Sequence, residues 1–506
     1  MALFRTSSAA LHGIQARLVD VEVDMYPAGS GRDFVTVGMP DTAVRESRER
    51  IKSALLNSGF GYPNKSVTIN LAPANVRKEG AGFDLPMALG ILGAMGVVKT
   101  SADTLFSGEL SLDGSLRPVR GALSMAVCAR RQGLRRLILP IDNAAEAAVV
   151  EGVEVFGLGH LSEVVGVLSG ARPAQPVRPT THLQLDSTSP ITDFQDVRGQ
   201  ASGKRALEVA AAGGHNVLMI GPPGSGKTML ARRLAGILPP LTFEEALEST
   251  QVHSIAGLLP KGIGFLVDRP FRAPHHSVSD AGLLGGGSGT PRPGEASLAH
   301  NGVLFLDELP EFARNVLEQL RQPLEEGAVV LSRAQNTLTF PARFMLVAAM
   351  NPCPCGFHGD PTRECRCTPG IIQRYLAKIS GPLLDRIDLH IEVSAVPYQE
   401  LRGRAGGQSS AEMRERVLAA RERQLARGYC NAYIPAGEIR SLCALNVSGE
   451  QTLELAVRKL GLSARAHDRI LKVARTIADL AGSVEISAKH LAESVQYRNL
   501  DRSYWT

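Results

Sequence analysis

The sequence predicts an α/β protein of several domains, with a P-loop domain in the middle of the chain. Three observations support this prediction. A short apolar strand runs into the glycine-rich stretch GPPGSGKT and then into a helical pattern. Strand-like and helical segments alternate over residues 1–170, and apolar residues recur at helical spacing over residues 395–506. A chain of 506 residues fits about two to four domains.

The first segment, residues 1–170, has the pattern of an α/β domain. VEVDM, FVTVGM and RRLILP are short apolar strands, and the stretch that starts at Asp41 is a helix with that residue as N-cap and Gly59 as its stop. SGELSLDGSLRPV predicts a hairpin that turns at Asp113 and Gly114. Residues 171–192 are rich in Pro, Ser and Thr and predict a linker to a second domain, residues 193–394.

Composition sets the expected compartment and partners. The net charge is +5, which is compatible with nucleic-acid binding without requiring it. The first residues are too polar for a signal peptide, and no apolar run is long enough to span a membrane. We therefore expect a cytoplasmic protein without a membrane partner. Thiols stay reduced in that compartment, so clustered cysteines indicate metal binding rather than disulfides.

The stretch GPPGSGKT, between a strand and a helix, predicts a phosphate-binding P-loop. Gly221, Gly224 and Gly226 let the backbone curl so that its N–H groups face phosphate oxygens. Lys227 reaches the β- and γ-phosphates of ATP, and the Thr228 hydroxyl binds Mg²⁺. The predicted nucleotide-binding residues of the loop are Gly221, Pro222, Pro223, Gly224, Ser225, Gly226, Lys227 and Thr228.

Two further strands end in the polar residues that a P-loop needs. NGVLFLDELPEF places Asp307 after a buried strand, where it would hold Mg²⁺, and Glu308 beside it as a general base. ARFMLVAAMNP places Asn351 at the end of another buried strand, where its amide would orient the attacking water. P-loop, Asp-Glu and strand-Asn follow each other in the order of AAA+ ATPases.

The chain resembles the YifB/ComM group of magnesium-chelatase-like AAA+ proteins along essentially its whole length. The matching stretches are DFQDVRGQ, GPPGSGKT, FRAPHHSVSDAGLLGGG, PGEASLAHNGVLFLDELPEF, FPARFMLVAAMNPCPCG, RYLAKISGPLLDRIDLHIEV and LSARAHDRILKVARTIADLAG. The resemblance implies an AAA+ core at 193–394 and a helical lid at 395–506. It also implies a homo-hexameric, ATP- and Mg²⁺-dependent DNA helicase that promotes branch migration of recombination intermediates in natural transformation.

The resemblance also implies roles for residues outside the P-loop. GPLLDRID matches the segment that presents an arginine finger, so Arg386 would reach the γ-phosphate of a neighbouring subunit. LSARAHDRI matches sensor 2, with Arg465 as the first choice and Arg469 as the second. Gln200, in VRGQ, would lie near the adenine. The alternative for Arg386 and Arg465 is a surface salt bridge.

Two segments are candidates for DNA contacts in a central pore. LEEGAVVLSRAQNTLTFPARF predicts two strands about a turn, with Arg333 near the tip, and a second insertion carries Lys261. Either cation would bind the phosphate backbone of branched or single-stranded DNA. The alternative for each is a solvated charge on a hairpin or loop.

The first domain resembles the proteolytic domain of Lon, a ribosomal S5 domain 2-like fold. In Lon a Ser nucleophile is activated by a Lys. Here Gly82, in KEGAGFDLPMA, stands where the Ser belongs, and Leu123, in PVRGALSMA, stands where the Lys belongs. A register slip toward Ser124 would not replace the missing pair. We therefore expect a catalytically inactive domain.

Four cysteines fall within residues 353–367 as two C-x-C pairs. Cys353, Cys355, Cys365 and Cys367 predict a tetrahedral thiolate site for a metal, with Zn²⁺ favoured, and His358 is a possible substitute ligand. The alternative is four free thiols in a loop. The role expected of the site is structural.

Two other functions compete with the DNA motor. A chelatase-type AAA+ remodeller would use ATP to act on a protein partner, and the AAA+ motifs alone are compatible with it. An ATP-dependent protease would need the Ser and Lys that the first domain lacks.

Overall fold

A computed structural model describes residues 3–27, 34–99, 102–178, 192–260, 262–287, 291–332, 337–361, 363–396, 407–460 and 463–500. Two sheets organise these residues, one in the first domain and one around the P-loop. None of the helices in these parts of the chain combines the length and the apolar character needed to cross a membrane.

The first domain is a mixed seven-stranded sheet with helices. Its strands are β1 (Phe4–His12), β2 (Gln15–Tyr26), β3 (Phe34–Val37), β4 (Ser66–Ala72), β5 (Thr104–Phe106), β6 (Glu109–Leu110), β7 (Leu116–Arg117), β8 (Arg136–Pro140) and β9 (Glu154–Leu158). Its helices are Thr42–Asn57, Asp84–Ala94, Ala122–Arg131, Ile141–Ala147 and Leu161–Leu168, with a 3₁₀ turn at Ala81–Phe83. The sheet order is β3-β4-β2-β1-β5-β8-β9, and β6 and β7 form a separate hairpin.

Local signals in this domain are confirmed. Asp41 caps the helix Thr42–Asn57, and its Oδ1 accepts a hydrogen bond from the Val44 N–H at 2.8 Å. The predicted hairpin is present, with Gly114 at φ 89° in its turn.

The second sheet has five parallel strands. The strands of this region are β10 (Val217–Ile220), β11 (Phe271–Arg272), β12 (Gly285–Gly286), β13 (Arg292–Pro293), β14 (Val303–Leu306), β15 (Ala328–Ser332), β16 (Thr337–Pro341), β17 (Met345–Met350) and β18 (Leu389–Glu392). The sheet order is β11-β14-β17-β10-β18. The strands β10, β14 and β17 are buried throughout, as parallel strands covered on both faces require.

Helices flank this sheet, and two pairs of strands stand outside it. The helices are Ala201–Gly213, Lys227–Leu234, Phe243–Ala256, Asp280–Leu284, Glu295–Leu298, Arg314–Gln319, Arg321–Glu326, Pro369–Leu376 and Gly381–Leu384, with 3₁₀ turns at Phe194–Asp196, Ala235–Ile237 and Leu309–Glu311. β12 pairs with β13, and β15 pairs with β16 in the antiparallel arrangement predicted for the pore hairpin. The α/β expectation is therefore confirmed.

The last region is helical, as its spacing predicts. Its helices are Ser410–Ala426, Ile439–Leu442, Val447–Leu460, Ala464–Leu480 and Ala488–Gln496, with 3₁₀ turns at Asn431–Tyr433 and Ala436–Glu438. The helix Ala464–Leu480 packs on Ala201–Gly213 beside the sheet, and both contribute to one apolar core with β10. The helical region is thereby attached to the P-loop domain.

Candidate nucleotide site and thiolate cluster

The P-loop joins β10 to the helix that begins at Lys227. Gly226 is the N-cap of that helix at φ 94°, and no side chain caps it. Its first N–H groups are therefore left for another acceptor, which suits phosphate oxygens. A Cβ on Gly221 would lie 2.1 Å from the Val393 carbonyl oxygen, so the backbone turn at this position requires glycine.

Lys227 is nearly buried and folds back over the loop. Its Nζ donates to the carbonyl oxygens of Gly221 at 2.7 Å and Pro222 at 2.9 Å, and to Asn351 Oδ1 at 3.2 Å. Burial lowers the pKa of Lys227, and the nearby carboxylate of Asp307 opposes that shift. The ammonium group is held by oxygens at the position from which a P-loop lysine binds phosphate.

The two residues predicted to hold Mg²⁺ are adjacent. Thr228 Oγ1 donates to Asp307 Oδ2 at 2.6 Å, and the other carboxylate oxygen of Asp307 accepts from the Glu308 N–H at 2.9 Å. A hydroxyl and a carboxylate side by side are the hard oxygen ligands that Mg²⁺ prefers. The donor set fits the ion.

Glu308 and Asn351 lie at the same edge of the sheet, after β14 and β17. Glu308 adopts a left-handed conformation at φ 53°, and its Oε2 lies 3.3 Å from His276 Nδ1. The buried Tyr375 lies beside Asn351, and burial raises the pKa of its hydroxyl. The sequence did not single out His276 or Tyr375, because each comes from a segment whose neighbours in space only the strand order reveals.

Gln200 contacts the P-loop from the start of the helix Ala201–Gly213. Its Nε2 donates to the Ser225 carbonyl oxygen at 3.1 Å and to the Ser394 carbonyl oxygen at 2.6 Å. The side chain therefore bridges the P-loop and the segment after β18. The structure brings Gln200 to the loop, and its contact with adenine stays a prediction.

Arg386 lies at the opposite edge of the sheet. It precedes β18, and its carbonyl oxygen accepts from Asn216 Nδ2 at 2.9 Å just before β10 begins. Since β18 runs parallel to β10, its four residues separate Arg386 from the P-loop edge by about 13 Å, at roughly 3.3 Å per residue. The guanidinium is 3% exposed, forms an ion pair with Glu325, and lines a cavity of about 810 Å³.

The two candidates for sensor 2 differ in their surroundings. Arg465 is exposed, and its Nη2 lies 3.9 Å from the same Glu325 carboxylate that pairs with Arg386. Arg469 instead donates to the buried carboxylate of Asp388, which also accepts from the Asn216 N–H at 2.8 Å. Arg465 remains available for another partner, whereas Arg469 is occupied in the core.

Four thiols form a compact cluster directly after Asn351. The Sγ atoms of Cys353, Cys355, Cys365 and Cys367 all lie within 4.8 Å of one another. The Sγ–Sγ distances are 3.3 Å between Cys353 and Cys355, 3.7 Å between Cys353 and Cys365, and 3.6 Å between Cys355 and Cys365. In a tetrahedral zinc site with Zn–S bonds of about 2.3 Å, the sulfurs lie about 3.8 Å apart. His358 is not in this group. A hydrogen bond from the Phe357 N–H is the main reason why the pKa of Cys355 falls to about 6.

The two predicted DNA contacts, Arg333 and Lys261, lie outside the described residues. The elements that precede these two residues in the chain are described. In the sequence, Arg333 directly follows β15, which pairs with β16. Lys261 follows the helix Phe243–Ala256.

The Lon-like positions offer no nucleophile and no base. A Cβ on Gly82 would lie 3.1 Å from Ser107 Oγ, and the Leu123 side chain is fully buried. Ser124 is also buried, and its hydroxyl donates to the Ile14 carbonyl oxygen at 2.7 Å. Gly82 lines a cavity of about 740 Å³ that also touches Arg120 and Arg292.

Known proteins similar to this chain cover it from end to end. The family model "Magnesium chelatase, subunit ChlI" matches residues 193–401, and its C-terminal counterpart matches 407–498, while "Subunit ChlI of Mg-chelatase" matches 21–143. YifB of Salmonella typhimurium is 47% identical over 99% of this chain and 98% of its own length.

Competence protein ComM of Haemophilus influenzae is also 47% identical, with the same coverage of 99% and 98%. Lon protease of Rhizobium meliloti is 23% identical over 30% of this chain and 20% of its own length. The 47% identity to YifB and ComM, over 99% of this chain, exceeds what shared motifs alone would give. The chain belongs to the YifB/ComM family of magnesium-chelatase-like AAA+ proteins.

Proposed function

We propose that this protein is a hexameric ATPase that drives branch migration of DNA. The observation that carries the ATPase part is the convergence of four side chains at one sheet edge. Thr228 donates to Asp307, and Lys227 donates to Asn351, although these residues follow three separate strands, β10, β14 and β17. Family membership supports ATP and Mg²⁺ as the ligands.

Each residue at this edge has one task in the proposed reaction. Lys227 and the loop amides bind the phosphates, and Thr228 with Asp307 binds the metal. Bound Mg-ATP supplies the phosphoanhydride bond that water cleaves. Glu308 accepts a proton from that water, and Asn351 orients it.

The position of Arg386 supports a ring. Since it lies at the sheet edge opposite to the P-loop of its own chain, it has no route to that chain's γ-phosphate. In a ring, Arg386 and Arg465 of one subunit would face the nucleotide of the next. We place Arg386 as the arginine finger and Arg465 as sensor 2 on this ground.

DNA is the proposed substrate because the relative from Haemophilus influenzae is named a competence protein. Arg333, which follows β15 in the sequence, and Lys261 are the two basic residues proposed to bind the DNA strand. The proposed compartment is the cytoplasm, where ATP and recombining DNA meet. The Lon-like domain, residues 1–170, would act as an inactive platform before the linker 171–192, the core 193–394 and the lid 395–506.

The thiolate cluster is proposed to hold Zn²⁺. Four sulfurs at near-tetrahedral separations suit this ion, which carries no redox chemistry and favours such sites. Its role is to shape the loop after Asn351.

The first test is ATP hydrolysis by the purified protein, alone and with single-stranded, duplex and four-way-branched DNA. We expect stimulation by DNA that is strongest with branches, followed by ATP-dependent movement of the branch point. Arg333→Ala should weaken the stimulation and leave the basal rate unchanged. A rate indifferent to DNA that rises with a protein partner would contradict the DNA motor and favour the chelatase-type remodeller.

A further inference from the structure

The segment that carries the thiolate cluster is exposed or half-buried at most of its described positions, and these positions form no helix or strand. Between Asn351 and Pro369 only Pro352, Cys353 and Gly356 are buried among the described residues. A turn closed by the hydrogen bond from the Gly356 N–H to the Cys353 carbonyl oxygen, at 2.9 Å, is its main backbone constraint near the cysteines. Such a segment buries too little apolar surface for a core to hold it in place. A cross-link by a metal would supply that constraint.

This segment is in direct contact with the P-loop. A Cβ on Gly356, which has φ 87°, would lie 2.5 Å from Cδ of Pro223, so the Gly356 backbone packs against the proline ring without room for a side chain. Pro223 lies at the centre of GPPGSGKT. The thiolate loop therefore packs on the phosphate-binding loop.

Two hydrogen bonds also join the P-loop region to the end of β17. The Gly221 N–H donates to the Met350 carbonyl oxygen at 3.2 Å, and Lys227 Nζ donates to Asn351 Oδ1 at 3.2 Å. Met350 and Asn351 immediately precede the first cysteine. The P-loop is thus contacted both by the end of β17 and by the loop that the thiolates close.

We propose that a metal ion bound by Cys353, Cys355, Cys365 and Cys367 braces the P-loop through the contact of Gly356 with Pro223, and thereby sets the affinity for ATP. This inference rests on the proposed ATP site and adds a control over it. Metal binding holds all four sulfurs as thiolates, and those that are still protonated release their protons to solvent. The bound ion fixes the ends of the loop, which keeps Gly356 against Pro223.

The test uses the full-length protein in excess Mg²⁺ and without DNA. Metal content is measured by elemental analysis, and the dissociation constant of a fluorescent ATP analogue is measured by titration. The wild type should contain about one zinc per chain. The double variant Cys365→Ser, Cys367→Ser should lose the metal and bind ATP about tenfold more weakly, because the P-loop loses its support.

Two matched variants separate the metal from other effects. Cys430→Ser removes a thiol outside the cluster and retains a donor for the Gly213 carbonyl oxygen, so metal content and ATP affinity should not change. Gly356→Ala keeps all four thiols but places a methyl group against Pro223. It should retain the zinc, which shows that the strain of alanine at φ 87° has not opened the cluster, and still weaken ATP binding, even if the double variant fails to fold.

Three results would overturn the proposal. Wild-type protein without stoichiometric metal would reject the metal site, and loss of metal with an unchanged dissociation constant would reject the brace. Unchanged ATP affinity in Gly356→Ala would reject the contact as the link. A protein that binds ATP but ignores DNA would contradict the proposed motor and leave these measurements intact.

Discussion

His276 Nδ1 lies 3.3 Å from Oε2 of Glu308, the proposed general base. His276 follows β11, which pairs with β14, the strand that ends beside Glu308. Its ring also packs edge-on against Phe312, which limits its freedom. The contact therefore gives His276 the geometry of a residue that positions the carboxylate.

Removing this contact should impair hydrolysis more than binding. We expect His276→Ala to lower kcat by about ten- to a hundredfold, since a misplaced base loses its alignment with the attacking water. His276→Asn keeps an N–H donor near the Nδ1 position and should restore part of the rate. ATP affinity should be the same in both variants, and a loss of rate that Asn does not recover would argue against a positioning role.

Glu308→Gln should abolish turnover while preserving ATP binding. An amide cannot accept the proton from water, so the rate should fall at least about a hundredfold. Glu311→Gln is the control, because Glu311 is exposed in the same segment and its carboxylate pairs with Lys378 at 3.5 Å. Equal effects of the two substitutions would contradict the assignment of the base.

Arg386→Ala should bind ATP normally and hydrolyse it about a thousandfold more slowly or worse, because the developing phosphate charge loses a cation. If the arginine acts across subunits, a mixture with Lys227→Ala should regain activity. Mixed rings contain sites with an intact P-loop from one variant and an intact arginine from the other. Mixtures no more active than either variant alone would contradict action between subunits.

Arg469→Ala should destabilise the protein by about 3–5 kcal/mol, because it leaves the Asp388 carboxylate buried without its cation. Arg458→Ala is the control. Arg458 pairs with Glu454 on an exposed face, where such pairs contribute less than about 1 kcal/mol. Denaturant unfolding of the three proteins measures the difference, and equal midpoints for Arg469→Ala and the wild type would refute the prediction.

The same pair predicts a pH dependence. Burial alone would raise the pKa of Asp388, but the charge of Arg469 and the hydrogen bond from the Asn216 N–H lower it overall. The unfolded chain then binds more protons than the folded chain, so this stabilisation is present above the ordinary carboxylate pKa of about 3.9 and is lost as the pH falls below it. The stability gap between wild type and Arg469→Ala should narrow in acid. A gap independent of pH would contradict the shifted pKa.

The first domain should show no peptidase activity. The resemblance to Lon implies that Gly82 and Leu123 stand in place of the nucleophile and the base, and Ser124 is buried in a hydrogen bond to a backbone oxygen. Casein incubated with the protein, Mg²⁺ and ATP should remain intact while ATP is consumed. Degradation that persists after Glu308→Gln removes hydrolysis would point to a contaminating protease, and degradation lost with it would contradict the inactive assignment.

Local signals predicted much of the fold and the centre of the site. The cap at Asp41, the strand Val303–Leu306 and the loop before Lys227 each depend on contacts within a few residues, which the sequence displays directly. The carboxyl ends of parallel strands meet at one edge, so Asp307 and Asn351 were expected beside the P-loop.

Contacts between distant segments were not predictable in this way. The pairing of Arg386 with Glu325 joins residues 61 positions apart, and no periodicity marks it. The contact of His276 with Glu308 depends on β11 lying next to β14. Likewise, the two C-x-C pairs indicated a metal site, but only the folded chain shows that Gly356 meets Pro223.

Glu325 forms an ion pair with Arg386 and lies near Arg465, and this arrangement bears on how a ring would assemble. In the isolated chain the carboxylate is the counter-ion of Arg386, with Arg465 at 3.9 Å. A nucleotide on a neighbouring subunit would have to displace that counter-ion before the Arg386 guanidinium could reach a phosphate. ATP carries more negative charge than ADP and would compete better, so subunit cohesion would rise with nucleotide loading and relax after each hydrolysis.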